Sequence, residues 1–574
     1  MKKLLRYMRG YEKECILGPL FKLFEATLEL LVPLVVAALI DRGIATGNRP
    51  FVLRMALILV LFGAVGLFFS VIAQFFAAKA AVGFVARIRS KLFSHIQTLS
   101  YEQTDTLGTS TMITRLTGDT AQVQAGVNLF LRLLLRSPFV VFGAMIMAFV
   151  VDKRSALWFV AVIPLLSIVV FGVMLVSMPL YKKVQARLDR LLRSARENLS
   201  GTRVLRAFTE EESEIKRFRS HNEELTAEQV HVGKISALLN PITYVLINLA
   251  IILLIYTGAI RVEAGLLTQG AVIALYNYMS QILVELIKLA NMIINITKAL
   301  ASAKRIEAVL KMKNSQEKGN ETLPAEGEDA IVFNNVCFTY PGAKEPSVSD
   351  ISFSLKRGET LGIIGGTGSG KSTLVQLIGG FYDASEGDIS ILGRDVRAYE
   401  ATALCKLVGM VPQKSVLFHG SIRENMQLGN PNASDAEIMD AIAAAQASEI
   451  VREKGGLSYE IAQGAKNLSG GQRQRLCIAR ALVAKPKILV FDDSSSALDF
   501  ATEAALRSEL KKLPSETTKV IISQRAGTLT DADQILVLDD GRIVGIGTAD
   551  ELMQSCEVFR EIYESQFGER REQA

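Results

Sequence analysis

Six apolar runs dominate the first half of the chain: Ile16–Ile40, Val52–Ala78, Val127–Val151, Ala156–Met178, Pro241–Ile260 and Gly270–Ile293. Each is close to the roughly 20 residues that a helix needs to cross a bilayer. In hydrocarbon a backbone must satisfy its own N–H and C=O groups, so six separate runs predict an α-helical membrane domain with six spans. A length of 574 residues exceeds what one core supports, and the 49% hydrophobic content is unevenly spread. Residues 1–310 read as the membrane domain, 311–330 as a polar linker containing Pro324, and 331–574 as a soluble α/β domain.

The basic residues orient the spans. Lys2, Lys3, Arg6, Arg9 and Lys13 precede the first; Lys79, Arg87, Arg89, Lys91 and Arg115 lie between the second and third. A further series from Lys182 to Lys234 separates the fourth and fifth, whereas the opposite loops hold few, such as Arg49, Lys153, Arg154 and Arg261. By the positive-inside rule both termini are cytoplasmic, and the expected location is the plasma membrane. This clustering accounts for the net charge of +6 without a nucleic-acid partner. No cleavable leader is expected; the first run reads as an anchor. Cys15, Cys337, Cys405, Cys477 and Cys556 have no metal or redox spacing, which fits a reducing compartment.

The two cytoplasmic connections, Lys91–Gln124 and Pro179–Lys234, keep a helical period among their charges. They read as membrane helices continuing into the cytoplasm, each with one break: Gly108-Thr109-Ser110, and Arg206-Ala207-Phe208-Thr209. Within the spans, Glu25 and Glu29 share a face of the first, and Glu285 and Lys288 lie three apart on the sixth. Two readings are open: an acid-lined path that prefers cations, or pairing between helices.

The soluble part carries Gly365-Gly366-Thr367-Gly368-Ser369-Gly370-Lys371-Ser372-Thr373 between the apolar run Thr360–Ile364 and the amphipathic Leu374–Ile378. A strand, a glycine-rich turn and a helix start present backbone N–H groups to phosphates. Lys371 adds a point charge, and the Ser372 hydroxyl is a ligand for Mg²⁺. The chain is expected to bind ATP. Ile488–Phe491 is a buried-strand pattern ending at Asp492, a second Mg²⁺-holding group. Leu468-Ser469-Gly470-Gly471-Gln472 opens another helix with free N–H groups, one more phosphate site than a single nucleotide needs.

The phosphate loop, Leu468–Gln472 and the strand ending at Asp492 resemble, in order and spacing, an ABC-transporter ATPase domain. Six spans ahead of it resemble an exporter half-transporter, a resemblance that covers the whole chain. It implies that the segments around Gly108…Arg115…Asp119 and Glu197–Gly201…Phe208 are coupling helices touching ATPase domains. It implies that Tyr340 stacks on adenine and that Gln413 senses Mg²⁺ and the attacking water. It also implies that Ser496-Ala497-Leu498-Asp499 crosses a head-to-tail dimer, in which Ser469, Gly470, Gly471 and Gln472 face the opposing nucleotide.

Two positions depart from the family pattern. The glutamate that polarises water is replaced by Asp493, in Asp492-Asp493-Ser494-Ser495, and the γ-phosphate histidine by Gln524. Asp493 is one methylene short, and Gln524 neither carries charge nor titrates. With an intact Leu468–Gln472, this asymmetry implies one subunit of a heterodimeric multidrug-type exporter. Its own ATP site is degenerate, and its Ser469 and Gly471 complete the catalytic site of a second half-transporter. The substrates expected are amphipathic or hydrophobic small molecules. Three alternatives stay open: a homodimeric exporter of lipids, drugs or peptides with Asp493 as base, a nucleotide-gated channel or regulator, and an importer on the exporter fold.

Overall fold

The computed structural model describes residues 2–567 other than Glu317, Glu326, Ser495 and Ala497. The chain divides into two compact units: Met1–Gln97 with Thr109–Met312, and Thr98–Gly108 with Lys313–Ala574.

The first unit contains six helices of membrane-spanning length and composition among the described residues: Glu12–Ile44, Arg49–Ile96, Thr109–Val151, Lys153–Ser200, Glu211–Glu263 and Gln269–Lys311. Each encloses one of the expected spans. Arg49–Ile96 and Lys153–Ser200 have 48 residues apiece. At about 1.5 Å per residue that is more than twice the ~30 Å hydrocarbon thickness. The helices therefore run well beyond any apolar layer. Ala26, Val140, Ala144, Phe159, Leu166, Leu254 and Ile282 are fully buried where the helices meet. The Tyr278 hydroxyl, inside this core, donates to the Leu30 carbonyl at 2.7 Å.

Both expected breaks sit slightly differently. A short helix, Tyr101–Leu107, is opened by a capping box in which Ser100 and Gln103 satisfy each other's backbone N–H groups. Gly108, at φ 71°, closes it. A glycine takes that left-handed geometry without a Cβ clash. Thr109 and Ser110 already belong to the next helix, Thr109–Thr114. The second break is also a helix, Thr202–Ala207, and the turn proper falls at Thr209, φ 58°. In both places a local helix forms where spacing suggested only a turn.

Between the spans, the structure favours pairing. Arg136, 7% exposed in the third long helix, donates to Glu29 of the first and Glu285 of the sixth, both at 2.6 Å. Ser137 donates to the other Glu285 oxygen at 2.8 Å, Lys288 donates to Glu285 at 2.8 Å, and Lys22 pairs with Glu25. Three cations thus answer three carboxylates. The acid-lined, cation-preferring path is corrected accordingly: its acids are neutralised by Arg136, Lys288 and Lys22. Arg136 follows three leucines, Leu133–Leu135, inside the third apolar run, so local hydropathy hides it.

The second unit is built on two larger sheets, with a two-stranded pair, Gly420–Ser421 and Glu460–Ile461, as a third among the described residues. One of the larger sheets is antiparallel, in the order Val348–Lys356, Asp329–Phe338, Glu386–Ile391, Arg394–Asp395. The other has six strands, in the order Arg542–Gly547, Gln534–Asp539, Thr360–Gly365, Thr518–Ile522, Ile488–Asp492, Val408–Val411. All but the first of those six are parallel. Their apolar runs are buried on both faces, as parallel strands require. A largely helical layer, Ile422–Val483, forms a separate core around Ile438, Ile442, Leu476 and Ile478.

The stretch read as a linker lies against this unit. Gly319 N–H donates to the Arg397 carbonyl (2.8 Å), Glu321 N–H to Ala398 (3.1 Å) and Ala325 N–H to Leu392 (3.0 Å). Residues Asp329 and Ala330 already form strand. The helix Tyr101–Leu107 also belongs here: Tyr101 stacks on Phe381 with ring centroids 4.4 Å apart, and the Tyr382 hydroxyl donates to Asp105.

Candidate functional site

Four adjacent parallel strands deliver the expected chemistry to one edge. Thr360–Gly365 runs into the phosphate loop, Thr518–Ile522 into Ser523 and Gln524, Ile488–Asp492 into Asp493, and Val408–Val411 into Pro412 and Gln413. Ligands of open α/β sheets bind at this carboxyl edge, where side chains from different strands converge.

In the phosphate loop, Gly366, Thr367 and Gly368 are exposed, while Ser369 is buried. A Cβ on Gly370, at φ 94°, would come within 2.8 Å of both Val348 and the Ser347 carbonyl. Only glycine fits there. By contrast nothing lies within 4 Å of a Cβ position at Gly366 or Gly368, so that side of the loop is free for phosphate. Lys371, first residue of the helix Lys371–Ile378, donates to the carbonyls of Gly365 (2.9 Å) and Gly366 (2.5 Å). Burial pushes its ammonium below the ordinary lysine range. Thr373 is buried one turn into the loop's helix.

The Ser372 hydroxyl donates to Asp492 at 3.1 Å. An hydroxyl and a carboxylate so placed, beside a phosphate loop, suit Mg²⁺, which takes one or two protein oxygens and completes its shell with water and phosphate. Burial pushes the carboxyls of both Asp492 and Asp493 above the ordinary range. Mg²⁺ must therefore displace a proton from Asp492 at a pH where an exposed aspartate is already ionised. Mg²⁺-dependent ATP affinity of the full chain is expected to weaken on acidification at a higher pH than it would with an exposed aspartate in the site. Calorimetric titration at a series of pH values, referenced to the pH dependence of Mg·ATP formation in free solution, checks it: Asp492→Asn should retain only the nucleotide's own dependence, and an unmodified chain that shows no more than that counts against the assignment.

Asp493 is 7% exposed and sits at φ 44°. Both Gln413 (3.4 Å) and Gln524 (3.2 Å) donate side-chain N–H groups to the same Asp493 oxygen. The structure thus brings together Gln413 and Asp493, expected at the attacking water, and Gln524, expected at the γ-phosphate. Tyr340 is half-buried; its hydroxyl donates to Gln376 at 2.7 Å, and its ring meets Phe338 and Tyr382 edge-on.

Ser469 lies elsewhere, in the largely helical layer. It caps the helix Gly470–Val483 in a reciprocal box with Gln472, at 3.0 and 3.3 Å. Ser469 and Gly470 are exposed, and Gly471 and Gln472 half-buried. No hydrogen bond joins Ser469 to the phosphate loop of the same chain among those of the described residues. In the loop Ser496–Asp499, expected from the resemblance to cross a dimer, Leu498 is buried and Ser496 exposed, while Ala497, like Ser495, lies outside the described residues.

Sequence reasoning missed the supports of Gln524. The Gln566 side chain donates to the Gln524 carbonyl (2.7 Å) and accepts from the Ala526 N–H (2.9 Å). Arg525 pairs at 2.7 Å with the buried Glu503, which also accepts from Thr528 at 2.6 Å. A lone glutamine or glutamate on a helix carries no signal of such a tertiary tie.

A phosphate loop, a buried carboxylate beside its serine and six membrane-length helices define an ATP-driven membrane transporter. Two family models match: the ABC transporter transmembrane region over residues 15–286 and the ABC transporter over residues 348–496. An uncharacterised ABC transporter ATP-binding protein of Mycobacterium tuberculosis is 34% identical over 570 residues, 98% of this chain and 97% of that protein. A putative multidrug export ATP-binding/permease protein of Bacillus subtilis is 31% identical over 598 residues, 99% and 98% of the two chains. Among solved structures, a bacterial Atm1-family ABC exporter with ATP bound shares the fold at a TM-score of 0.81 and 24% identity, covering 96% of this chain and 99% of that one. The chain belongs to the ABC transporter family. It has the half-transporter arrangement of an exporter, with the membrane region ahead of an ATPase domain that binds ATP.

Proposed function

We propose that this chain is one subunit of a heterodimeric multidrug-type exporter that moves amphipathic small molecules out across the plasma membrane, its termini in the cytoplasm. It holds Mg·ATP at its own phosphate loop with little hydrolysis, and its Ser469 and Gly471 complete the partner's active site. ATP binding closes the ATPase pair, and closure moves the membrane helices through the segments near Thr109 and Phe208, a population shift between inward- and outward-facing states. Hydrolysis at the partner's site resets the cycle.

The observation that carries the reading is the pairing of an altered site with an intact one. Asp493 is short, buried and held by the amides of Gln413 and Gln524 through one oxygen. Neither amide takes up a proton, so no titrating group stands where the family has histidine. Ser469, in contrast, is exposed at the start of a 14-residue helix whose first N–H groups are available for anions. Leu199, Val204 and Phe208, 79%, 59% and 74% exposed around Thr202–Ala207, suit a coupling segment that reaches an ATPase domain. The multidrug relative supports the substrate class.

The test is ATP turnover of the purified chain alone and with its partner subunit. The lone chain is expected to be nearly inactive, and brisk turnover by it overturns the degenerate site. The raised Asp493 carboxyl favours one rival, a homodimer using Asp493 as a slow base. In that case the lone chain turns over and Asp493→Asn abolishes it.

A further inference from the structure

Four span ends meet around an apolar cavity of about 420 Å³ in the first unit. Its walls come from Cys15, Phe84, Val127 and Leu300, and its cover from Leu4 and Met8 at the start of the chain. The lining residues straddle the ends of the apolar runs on the side that the basic residues mark as cytoplasmic: Cys15 and Val127 lie at run starts, Phe130 and Leu131 just inside the third run, and Phe84 and Leu300 beyond the ends of the second and sixth. The cavity therefore sits at the depth of the headgroup boundary, and no carboxylate lines it.

The cover is tied down at one end. The Tyr11 ring lies directly on Gly83, where a Cβ would fall 2.1 Å from it. The Arg87 guanidinium stacks over that ring at 4.7 Å and donates to the Arg9 carbonyl, while Glu14 pairs with Lys79 at 2.9 Å. Leu4 is 2% exposed, whereas Arg6, Arg9 and Lys13 are exposed; Arg87 is exposed beyond its contacts with Tyr11 and Arg9, and one acid, Glu12, lies among these basic groups, accepting from the Gly10 N–H at 2.7 Å. Apolar residues inward with basic ones outward is the pattern of a segment lying in a membrane interface.

We propose that this cavity takes an acyl chain of an anionic phospholipid from the cytoplasmic leaflet, its headgroup held by Arg6, Arg9, Lys13 and Arg87. The charge pattern favours a lipid over an exported amphiphile: Arg6, Arg9, Lys13 and Arg87 lie one to three residues from lining residues, outnumbering Glu12 and the Lys79-paired Glu14, and the residues that line the cavity carry no charge. Basic residues near an anionic surface contribute about 1 kcal/mol each, a preference of about fivefold per side chain.

The experiment uses the full chain in nanodiscs with Trp158→Phe and Phe84→Trp, which puts the only indole in the cavity wall. The probes are phosphatidylglycerol and phosphatidylcholine brominated on the acyl chain. Quenching by brominated phosphatidylglycerol is expected to reach half-maximum at a mole fraction at least about fivefold lower than for phosphatidylcholine. Arg6→Gln with Arg9→Gln should reduce that ratio toward one. Val127→Phe, or independently Leu300→Phe, should suppress the quenching while leaving the protein monodisperse. Equal quenching by both lipids means bulk lipid contact only and overturns the proposal. So does absence of quenching, or its relief by a cationic amphiphilic dye but not by unbrominated phosphatidylglycerol, which marks a substrate site.

Discussion

Ser469→Arg, in the chain co-purified with its partner subunit, is expected to lower ATP turnover of the pair by about 10²-fold or more. That is the effect of losing preorganised donors at a developing charge. Ser469 holds the first turn of Gly470–Val483 open through its box with Gln472. Arginine lacks the short oxygen that caps the helix, and its bulk occupies the space where phosphate must approach. Asp493→Asn in the same pair should leave turnover within about twofold. The two variants thus separate a chain that contributes catalysis in trans from one that hydrolyses its own nucleotide. Comparable losses from both, or a larger loss from Asp493→Asn, overturn the heterodimer reading. Steady-state phosphate release by the reconstituted pair is the measurement.

Arg136→Met should destabilise the membrane unit by about 3–5 kcal/mol, the range for removing one partner of a buried ion pair. Glu285, 3% exposed, loses its bond to Arg136 and keeps only Ser137 and Lys288; Glu29 loses its link to the third helix. Adding Glu285→Gln to Arg136→Met removes the stranded charge and should recover a large part of the loss. Thermal unfolding in detergent, followed by the intensity of the monodisperse peak, checks both variants. An Arg136→Met protein as stable as the parent would show that the three-helix junction adds nothing to folding, contrary to its burial.

The sequence alone carried the membrane half because hydropathy is a local property. Each of the six expected spans falls inside one helix, since a lipid-facing helix satisfies its backbone without help from distant residues. The phosphate loop was equally legible: glycines, lysine and hydroxyl are contiguous, and the flanking strand and helix follow from their own periods. Local reading erred where two structures share a composition. Gly108-Thr109-Ser110 looked like a turn, but the Ser100–Gln103 box makes Tyr101–Leu107 a helix and confines the break to Gly108. Sequence alone left Glu29 and Glu285 open between a path and pairing because their shared partner Arg136 lies 107 residues from Glu29 and 149 from Glu285.

What the chain order determined by itself, then, was the set of parts: six spans, a phosphate loop, a carboxylate ending a strand, an intact helix start at Ser469, and aspartate and glutamine where the family has glutamate and histidine. What only the tertiary structure decided was their assembly. Thr360–Gly365, Thr518–Ile522, Ile488–Asp492 and Val408–Val411 are neighbours in the sheet though far apart in sequence. Parallel pairing brings their carboxyl ends to one edge, which sets Gln413, Asp493 and Gln524 within hydrogen-bonding reach. The physical reason is range. Hydropathy and glycine geometry act over a few residues, whereas strand order and buried charge pairing depend on which surfaces the folded chain brings together.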